Sequence, residues 1–243
     1  GRHDHLKNVL RNQIKKDAFG PNAGKLFGQV GQFVTYCDRA TGDTGNDTDG
    51  WWRIRYPEDR DGGLVAEQEP FDPSVILAKE QVMLDVIRAE LDEGRNVLVF
   101  GYNAEVLPRL RRIIQEQLHE PCALLLASDE GTKEEKKARR KRLPGEGPVA
   151  KKQPRDRSDW VRDEVAGQSN RVMVVNSTAV QVGLNSLVHF NTIWWHQDPA
   201  CNPIGFRQAN GRIDRPGAKK PTRIYFPVYS DTAQAAAHSL LML

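Results

Sequence analysis

The sequence predicts an α/β protein with an open parallel sheet sandwiched by helices, preceded by an irregular N-terminal extension. Short apolar runs recur from about residue 97 onward, and segments with helical spacing lie between them. Each run is continuous rather than alternating, as expected for strands that are buried on both faces of a parallel sheet. Strands that alternate with helices in this way are typical of an α/β sandwich.

Five apolar runs are the predicted strands, and two segments before and between them are predicted helices. The strands are residues 97–100, 123–127, 172–175, 192–195 and 223–228. Helical spacing of apolar residues indicates one helix before the first strand and another after it. The first helix carries Met83, Leu84, Ile87 and Leu91, and the second carries Val106, Leu107, Leu110, Ile113, Ile114 and Leu118.

Residues 1–74 have a different character, and we predict a linker segment with an exposed loop there. Gly, Asp and Thr cluster between residues 41 and 50, and Trp51 and Trp52 follow with little periodicity. These two rings either stack on nucleic-acid bases or pin the loop to the core. The packing role is favoured, because aromatic residues beside a loop more often anchor it. The main domain is then predicted to span 75–243, with an insertion at 131–158.

Charge is concentrated in that insertion. The whole chain has a net charge of +3, whereas residues 133–157 hold eleven Lys or Arg against four Asp or Glu. A basic loop of this kind neutralises phosphates, and Lys151 and Lys152 are candidate nucleic-acid contacts. A solvated surface loop is an equally good interpretation of the charge alone.

The three cysteines and the hydropathy exclude several classes of protein. Cys37, Cys122 and Cys201 lack the close spacing of zinc or redox motifs, so we expect reduced thiols and no metal site. No apolar run approaches the roughly 20 residues of a membrane span. The N-terminus has no signal-peptide core, so we expect a cytoplasmic protein without a membrane partner.

Two segments resemble nucleotide-binding motifs but fail on inspection. Residues 20–26 suggest a phosphate-binding loop, yet the spacing is one residue short and Leu26 replaces the Ser or Thr that binds magnesium. Asp129 and Glu130 follow an apolar run, as magnesium-binding acids do in nucleotide hydrolases. They have no phosphate loop ahead of them, so we interpret them as loop residues.

The most informative stretch follows the third predicted strand. It contains Gly183-Leu184-Asn185, then Asp198-Pro199-Ala200-Cys201-Asn202-Pro203, then Gln208-Ala209-Asn210-Gly211-Arg212-Ile213-Asp214-Arg215-Pro216-Gly217. In this order and spacing the segments resemble motifs V and VI of superfamily-2 helicases, especially the Swi/Snf-type branch and its phage-type and plasmid-type relatives. Phe100-Gly101-Tyr102 resembles their motif IV. The resemblance is firm over about residues 75–235.

The resemblance implies a RecA-like second motor domain in which Arg212 and Arg215 act as arginine fingers. Fixed guanidinium groups stabilise the charge that spreads over the γ-phosphate during transfer. Two arginines three residues apart share one face if their segment is helical. By the same resemblance, Gln208, Gly183 and Asn185 belong to the ATP site. The alternatives are that the arginines pair with surface acids and that residues 183–185 form an ordinary turn.

A second group of residues is implied at the nucleic-acid track. Gly101, Tyr102, Asn103, Ser177 and Thr178 follow predicted strands, and open α/β sheets bind ligands at the carboxyl ends of their strands. In the helicase family this edge contacts nucleic-acid phosphates. Helix capping by the hydroxyls of Ser177 or Thr178 is the alternative.

The implied function is that of the C-terminal motor domain of an ATP-dependent helicase or translocase. ATP and Mg²⁺ are then bound only together with the N-terminal motor domain of the same parent chain, and this fragment alone is inactive. DNA is favoured over RNA as the track. Asp214 and Ala218 depart from the Swi/Snf-type pattern, which argues against the remodeller subfamily. The alternative is a non-catalytic module that binds nucleic acid or protein on the same fold.

Overall fold

The computed structural model describes residues 1–17, 31–45, 47, 49–56, 63–126, 157–180, 184, 186–198, 202–214 and 220–242. Contacts divide the chain into two compact units. The N-terminal unit comprises Gly1–Ile76 and Val228–Leu243, and the sheet unit comprises Leu77–Pro227. The sequence-based prediction puts its boundary close to this division, but it keeps residues 228–243 with the sheet.

The helices and strands in chain order are α1 (Arg2–Asp17), β1 (Trp52–Arg55), β2 (Leu64–Gln68), α2 (Ala78–Asp92), β3 (Val97–Gly101), α3 (Val106–Leu118), β4 (Cys122–Leu125), α4 (Arg157–Trp160), β5 (Val172–Asn176), α5 (Ser177–Val180), β6 (Thr192–Trp195), α6 (Pro203–Asn210), β7 (Arg223–Tyr225) and α7 (Ala233–Leu241). A π-helical segment, Val161–Ala166, continues α4. Within the described ranges, no helix is long and apolar enough to cross a membrane.

The sheet unit confirms the predicted fold class. Its five strands lie in the order β4-β5-β3-β6-β7, and every neighbouring pair is parallel. The central strand β3 pairs Val97 with Val172 on one side and with Thr192 on the other. Helices flank the sheet: α2 contacts β3, and α3 contacts β4 and β5. The arrangement is an open α/β sheet of the RecA-like type.

The predicted strands overlap the observed ones but differ from some of them at their ends. The run at 123–127 overlaps β4, which begins at Cys122 and ends at Leu125. Residues 192–195 match β6, and β3 and β5 each extend one residue beyond the prediction. The run at 223–228 is too long, because β7 ends at Tyr225. This strand lies at the edge of the sheet and is largely exposed, so continuous apolar burial does not mark its end.

The predicted helices are confirmed by their buried faces. Met83, Leu84, Ile87 and Leu91 of α2 are all buried. The apolar face of α3 is buried from Val106 to Ile114.

The N-terminal unit is more regular than the sequence suggests. Helix α1 and the antiparallel pair β1–β2 surround a hydrophobic cluster that includes Leu6, Phe33 and Trp52. Trp52 is 1% exposed, so it has the packing role favoured from the sequence. Helix α1 carries four apolar residues at helical spacing between Leu6 and Ile14, a pattern that the sequence-based prediction did not use. Strands β1 and β2 have only four and five residues and show no clear period.

The C-terminal helix α7 belongs to the N-terminal unit because of specific polar contacts. The Gln234 side-chain amide donates to the Asp38 carboxylate over 2.6 Å, and both residues are buried. The backbone N–H of Ala233 also donates to His3 Nε2 over 3.4 Å. These bonds join residues about two hundred positions apart, which is why sequence reasoning left α7 with the sheet.

Candidate functional site

Three adjacent strands of the sheet end together and bring polar side chains to one place. Strand β5 ends at Asn176, β3 at Gly101 and β6 at Trp195. Because the strands are parallel neighbours, the residues that follow them meet at the same edge. We call this place the carboxyl edge; it consists of residues 101–103, 176–178 and 196–197.

Gln197 connects β6 to the loop after β3. Its Oε1 accepts hydrogen bonds from the backbone N–H groups of Tyr102, over 3.1 Å, and Asn103, over 3.0 Å. Its Nε2 donates to Asn103 Oδ1 over 3.0 Å. Gln197 is 1% exposed, so these bonds satisfy a buried carboxamide that would otherwise be costly. The sequence contains no local signal for this role.

Asn176 connects β5 to the same loop. Its Nδ2 donates to the Tyr102 carbonyl oxygen over 2.9 Å. Its Oδ1 accepts from the backbone N–H of Thr178 over 2.9 Å and from the Thr178 hydroxyl over 2.6 Å. The residue whose side chain caps this short turn is therefore Asn176, not Ser177 or Thr178.

The five residues that were predicted to contact nucleic acid lie together at the carboxyl edge but differ in accessibility. Tyr102 and Thr178 are exposed and Asn103 is half-buried. Gly101 and Ser177 are buried. The Ser177 hydroxyl has no hydrogen-bond partner among the described residues.

Gly101 has a packing reason for being glycine. A Cβ at this position would lie 2.5 Å from Cδ2 of Leu107 on the first turn of α3. A side chain here would force the Leu107 side chain to move, so the local packing favours glycine. The glycine serves the fold whether or not its backbone meets a ligand.

Helix α6, which precedes the two arginines of the motif VI resemblance, is held firmly on β6. The Asn202 side chain caps its start by accepting from the backbone N–H of Gly205 over 2.9 Å, and Pro203 follows the cap. At its end, Trp195 Nε1 donates to Asn210 Oδ1 over 2.9 Å. The motif VI segment therefore begins in a fixed position relative to the carboxyl end of β6.

Arg212 lies in a turn after α6, not in a helix. Helix α6 ends at Asn210, and the backbone N–H of Arg212 donates to the Ala209 carbonyl over 3.2 Å. Arg212 is half-buried, and its neighbour Ile213 is fully buried in the core. The helical face that was expected to align the two arginines is thus not present at Arg212. Gln208, on the last turn of α6, is exposed.

Several predicted site residues lie outside the described residues. They are Gly183, Asn185, Arg215, Lys151 and Lys152. The basic insertion up to residue 156, the segment at 20–26, Asp129, Glu130 and Cys201 also lie outside them. Their roles remain predictions.

A buried charged cluster supports the carboxyl edge from the side of α2 and α3. Arg109 donates to Glu80 through Nε, over 2.7 Å, and through Nη2, over 2.9 Å, and both side chains are at most 1% exposed. His196 lies beside this pair and is 1% exposed. Burial, followed by the charges of Lys79 and Arg109, holds the pKa of His196 well below its ordinary value. The imidazole is therefore neutral at neutral pH.

The Cys122 thiol offers little chemistry. Burial raises the pKa of the Cys122 thiol to about 12, which keeps it protonated and unreactive. In the part of the chain that the structure describes, no group of three or more His, Cys, Asp or Glu residues could hold a metal ion.

Comparison with known proteins identifies the fold. No protein-family profile and no curated protein matches the chain. Among solved structures, it is similar to the C-terminal part of the Fun30 ATPase domain, with a TM-score of 0.51 and 19% identity over 68% of this chain and 45% of that one. It is also similar to the Sulfolobus solfataricus SWI2/SNF2 ATPase core in complex with double-stranded DNA, with a TM-score of 0.51 and 18% identity over 92% of this chain and 36% of that one.

These similarities cover part of each solved structure and concern its fold. The chain spans less than half the length of either structure. At this level of identity the likeness concerns the fold. The sheet unit has the helicase-like α/β fold of Swi/Snf-type ATPase domains.

Proposed function

We propose that the chain is the second, C-terminal motor domain of an ATP-dependent DNA helicase or translocase. The observation that carries the proposal is the fixed start of the motif VI segment. Because Asn210 is bonded to the last residue of β6, Arg212 is held two residues from a rigid point of the sheet. Arginine fingers need such preorganisation, since they stabilise transition-state charge without moving during the reaction.

In this function the chain supplies one side of an ATP site. Arg212 and Arg215 stabilise charge on the γ-phosphate, with Gln208, Gly183 and Asn185 beside the nucleotide. ATP and Mg²⁺ are bound by the N-terminal motor domain of the parent chain, which carries the phosphate loop and the metal-binding acids. The chain alone is then expected to release no phosphate from ATP.

The carboxyl edge supplies part of the DNA track. Thr178, Tyr102 and Asn103 are accessible there, at the place where open parallel sheets bind ligands. The double-stranded DNA in the Sulfolobus solfataricus complex supports DNA as the polymer for this chain as well. Lys151 and Lys152 of the basic insertion would add contacts to phosphates.

Arg212→Ala and Arg215→Ala in the intact two-domain protein test the proposal. Loss of a finger removes charge stabilisation in the transition state, so DNA-stimulated ATP turnover is expected to fall by about 10³-fold or more. Arg207→Ala is the matched control, because Arg207 is an exposed arginine on α6 and lies before the anchored Asn210. Its turnover should stay near that of the unmodified protein.

Two results would contradict the proposal. Near-normal turnover in Arg212→Ala and Arg215→Ala would remove the finger assignment. Two results together would instead favour the non-catalytic binding module. DNA binding would be salt-dependent and would disappear when Lys151 and Lys152 are neutralised, and ATP turnover would not depend on Arg212 or Arg215.

A further inference from the structure

We propose that Gln197 and Asn176 are positioning residues, which hold the loop of Tyr102 and Asn103 so that the Tyr102 ring stacks on an unpaired nucleic-acid base. This inference rests on the proposed function, in which the carboxyl edge contacts DNA. It adds the class of contact made there and the side chains that arrange it.

The first argument is that the Tyr102 backbone is held from both neighbouring strands. Gln197, after β6, accepts from the N–H groups of Tyr102 and Asn103. Asn176, at the end of β5, donates to the Tyr102 carbonyl oxygen over 2.9 Å. Both backbone polar groups of Tyr102 are therefore bonded to side chains that lie 74 or more residues away in sequence. Such bonds restrict the backbone of the loop and thereby the direction of the Cα–Cβ bond of Tyr102.

The second argument is that the two side chains that bind the loop are buried, whereas the Tyr102 side chain is exposed. Gln197 is 1% exposed and Asn176 is 6% exposed, whereas Tyr102 is 41% exposed. A large aromatic ring left in solvent at the ligand-binding edge of a sheet matches the aromatic platforms that bind single strands. Among the described residues, no other aromatic ring is paired with Tyr102.

The third argument concerns the choice of residue at position 197. A buried carboxamide costs free energy unless its donors and acceptors are satisfied, so an apolar side chain would suit a purely packed position better. Gln197 instead uses Oε1 twice and Nε2 once, and all three bonds go to the loop. The side chain is therefore used to orient two successive residues.

The experiment measures binding of the intact protein to a labelled single-stranded oligodeoxynucleotide by fluorescence anisotropy. Tyr102→Ala is expected to weaken binding by about 5-fold to 160-fold, which is the range for one base stacked on an aromatic side chain. Tyr102→Phe keeps the ring and should bind like the unmodified protein. An abasic oligonucleotide lacks the stacking partner, so Tyr102→Ala and the unmodified protein should bind it equally well.

The positioning role is tested by a double-mutant cycle. Gln197→Leu should weaken binding to the normal oligonucleotide, and adding Tyr102→Ala should weaken it no further than Tyr102→Ala alone. Gln168→Leu, which makes the same change at an exposed glutamine of the sheet unit, should leave binding unchanged. The Tm of each variant reports whether the fold has survived, and the cycle can be repeated with Asn176→Leu if Gln197→Leu does not fold.

Distinct results overturn the inference. If the effects of Gln197→Leu and Tyr102→Ala add fully, Gln197 does not act through Tyr102. If Tyr102→Ala weakens binding to the abasic strand as much as to the normal one, the ring does not stack on a base. If the unmodified protein binds neither the single strand nor a duplex of the same sequence, the proposed function fails together with this inference. Binding to the duplex alone overturns only this inference. ATP turnover that depends on Arg212, combined with an inert Tyr102→Ala, overturns this inference alone.

Discussion

The two ends of the parallel sheet use buried polar groups in different ways. Toward the amino end, a charged cluster joins α2 to the start of β6 and to β7. We call it the amino-edge cluster, and it consists of Glu90, Arg95, Thr192, Arg223 and Tyr225. At the carboxyl edge, the loop is held by the neutral amides of Gln197 and Asn176. Strand β7 is therefore attached at the amino end by paired charge, whereas the loop at the carboxyl edge is held by amide hydrogen bonds.

The amino-edge cluster satisfies the Glu90 carboxylate on both oxygens. Oε2 lies 2.8 Å from Arg95 Nε and also accepts from the Thr192 hydroxyl. Oε1 accepts from Arg223 Nη1 over 2.9 Å and from the Tyr225 hydroxyl over 2.8 Å. Glu90 is 2% exposed. These bonds attach the edge strand β7 to α2, across 133 or more residues of sequence.

The difference between the two ends indicates which end of the sheet is open to a ligand. All bonds of the amino-edge cluster are made within the sheet unit and stabilise it. The carboxyl edge leaves Tyr102 and Thr178 exposed beside well-held backbone. This division agrees with the rule that open α/β sheets bind ligands beyond the carboxyl ends of their strands.

Among the variants that test this comparison, Glu90→Gln is expected to lose the most stability. The change keeps the shape of the side chain but leaves the buried Arg95 without its carboxylate, and breaking a buried ion pair in this way costs about 3–5 kcal/mol. Urea unfolding of the chain should show this loss in the free energy of unfolding. DNA binding at the carboxyl edge should not change in the folded variant.

Glu93→Gln is the control for that measurement. Glu93 also pairs with Arg223, over 2.7 Å, but its side chain is 54% exposed. Exposed ion pairs contribute about 0–1 kcal/mol, so its unfolding curve should nearly match that of the unmodified chain. Equal losses in Glu90→Gln and Glu93→Gln would show that burial does not set the strength of this cluster.

Gln197→Leu is expected to have a smaller effect on stability than Glu90→Gln. It removes three neutral hydrogen bonds, but the backbone N–H groups of Tyr102 and Asn103 are only partly buried and can regain water. A loss of about 1–3 kcal/mol in the free energy of unfolding follows. A loss as large as that of Glu90→Gln would place the main role of Gln197 in stability and remove the contrast between the two edges.

The two edges are expected to lose stability in different pH ranges during acid unfolding. These losses are the smallest of the predicted effects. The folded state holds the pKa of His196 below the ordinary 6.5, mainly through burial, so the unfolded chain takes up a proton that the folded chain resists. Stability should therefore decline as pH falls below 6.5, by at most about 1.4 kcal/mol per pH unit for this one group.

Protonation of Glu90 affects stability at lower pH. Burial by itself raises the pKa of Glu90, but hydrogen bonds from Thr192, Arg223 and Tyr225 outweigh it and lower the pKa below the ordinary 4.5. Its contribution to stability is present above pH 4.5 and is lost as pH falls through the lowered pKa.

Thermal melts across pH in two variants distinguish these steps. In His196→Asn the Asn Oδ1 can replace Nδ1 as acceptor for Trp194 Nε1, so the decline below pH 6.5 should flatten without loss of that bond. His3 of the N-terminal unit, whose pKa burial also lowers, leaves a smaller residual slope. Glu90→Gln should flatten only the step below pH 4.5. An unchanged decline in His196→Asn would contradict the assignment of the first step.

The sequence predicted strands correctly where consecutive residues share the same buried environment. Continuous apolar runs located β3, β5 and β6 to within one residue, because central strands of a parallel sheet are buried on both faces. The same reasoning overextended β7, which is an exposed edge strand. It also missed the N-terminal unit: strands β1 and β2 are too short to show a period, whereas the helical spacing of α1 was present but not used.

The candidate site was located only in part from the sequence. The motifs drew attention to residues 101–103, 177–178 and 208–215, and the fold brings the first two groups together at the carboxyl edge. Gln197 and Asn176 were not recognised, because nothing in a single glutamine or asparagine predicts a partner 74 or more residues away. The two arginines would share one face only if their segment were helical, and Arg212 lies in a turn after α6.

By itself, the sequence determined the fold class, the central strands and the order of the motifs, since burial pattern and spacing are written along the chain. Only the tertiary structure decided the strand order, the return of α7 to the N-terminal unit and the two polar arrangements at the ends of the sheet. The physical reason is that periodicity reports whether a side chain is buried, whereas the partner of a buried polar group depends on which distant strands become neighbours.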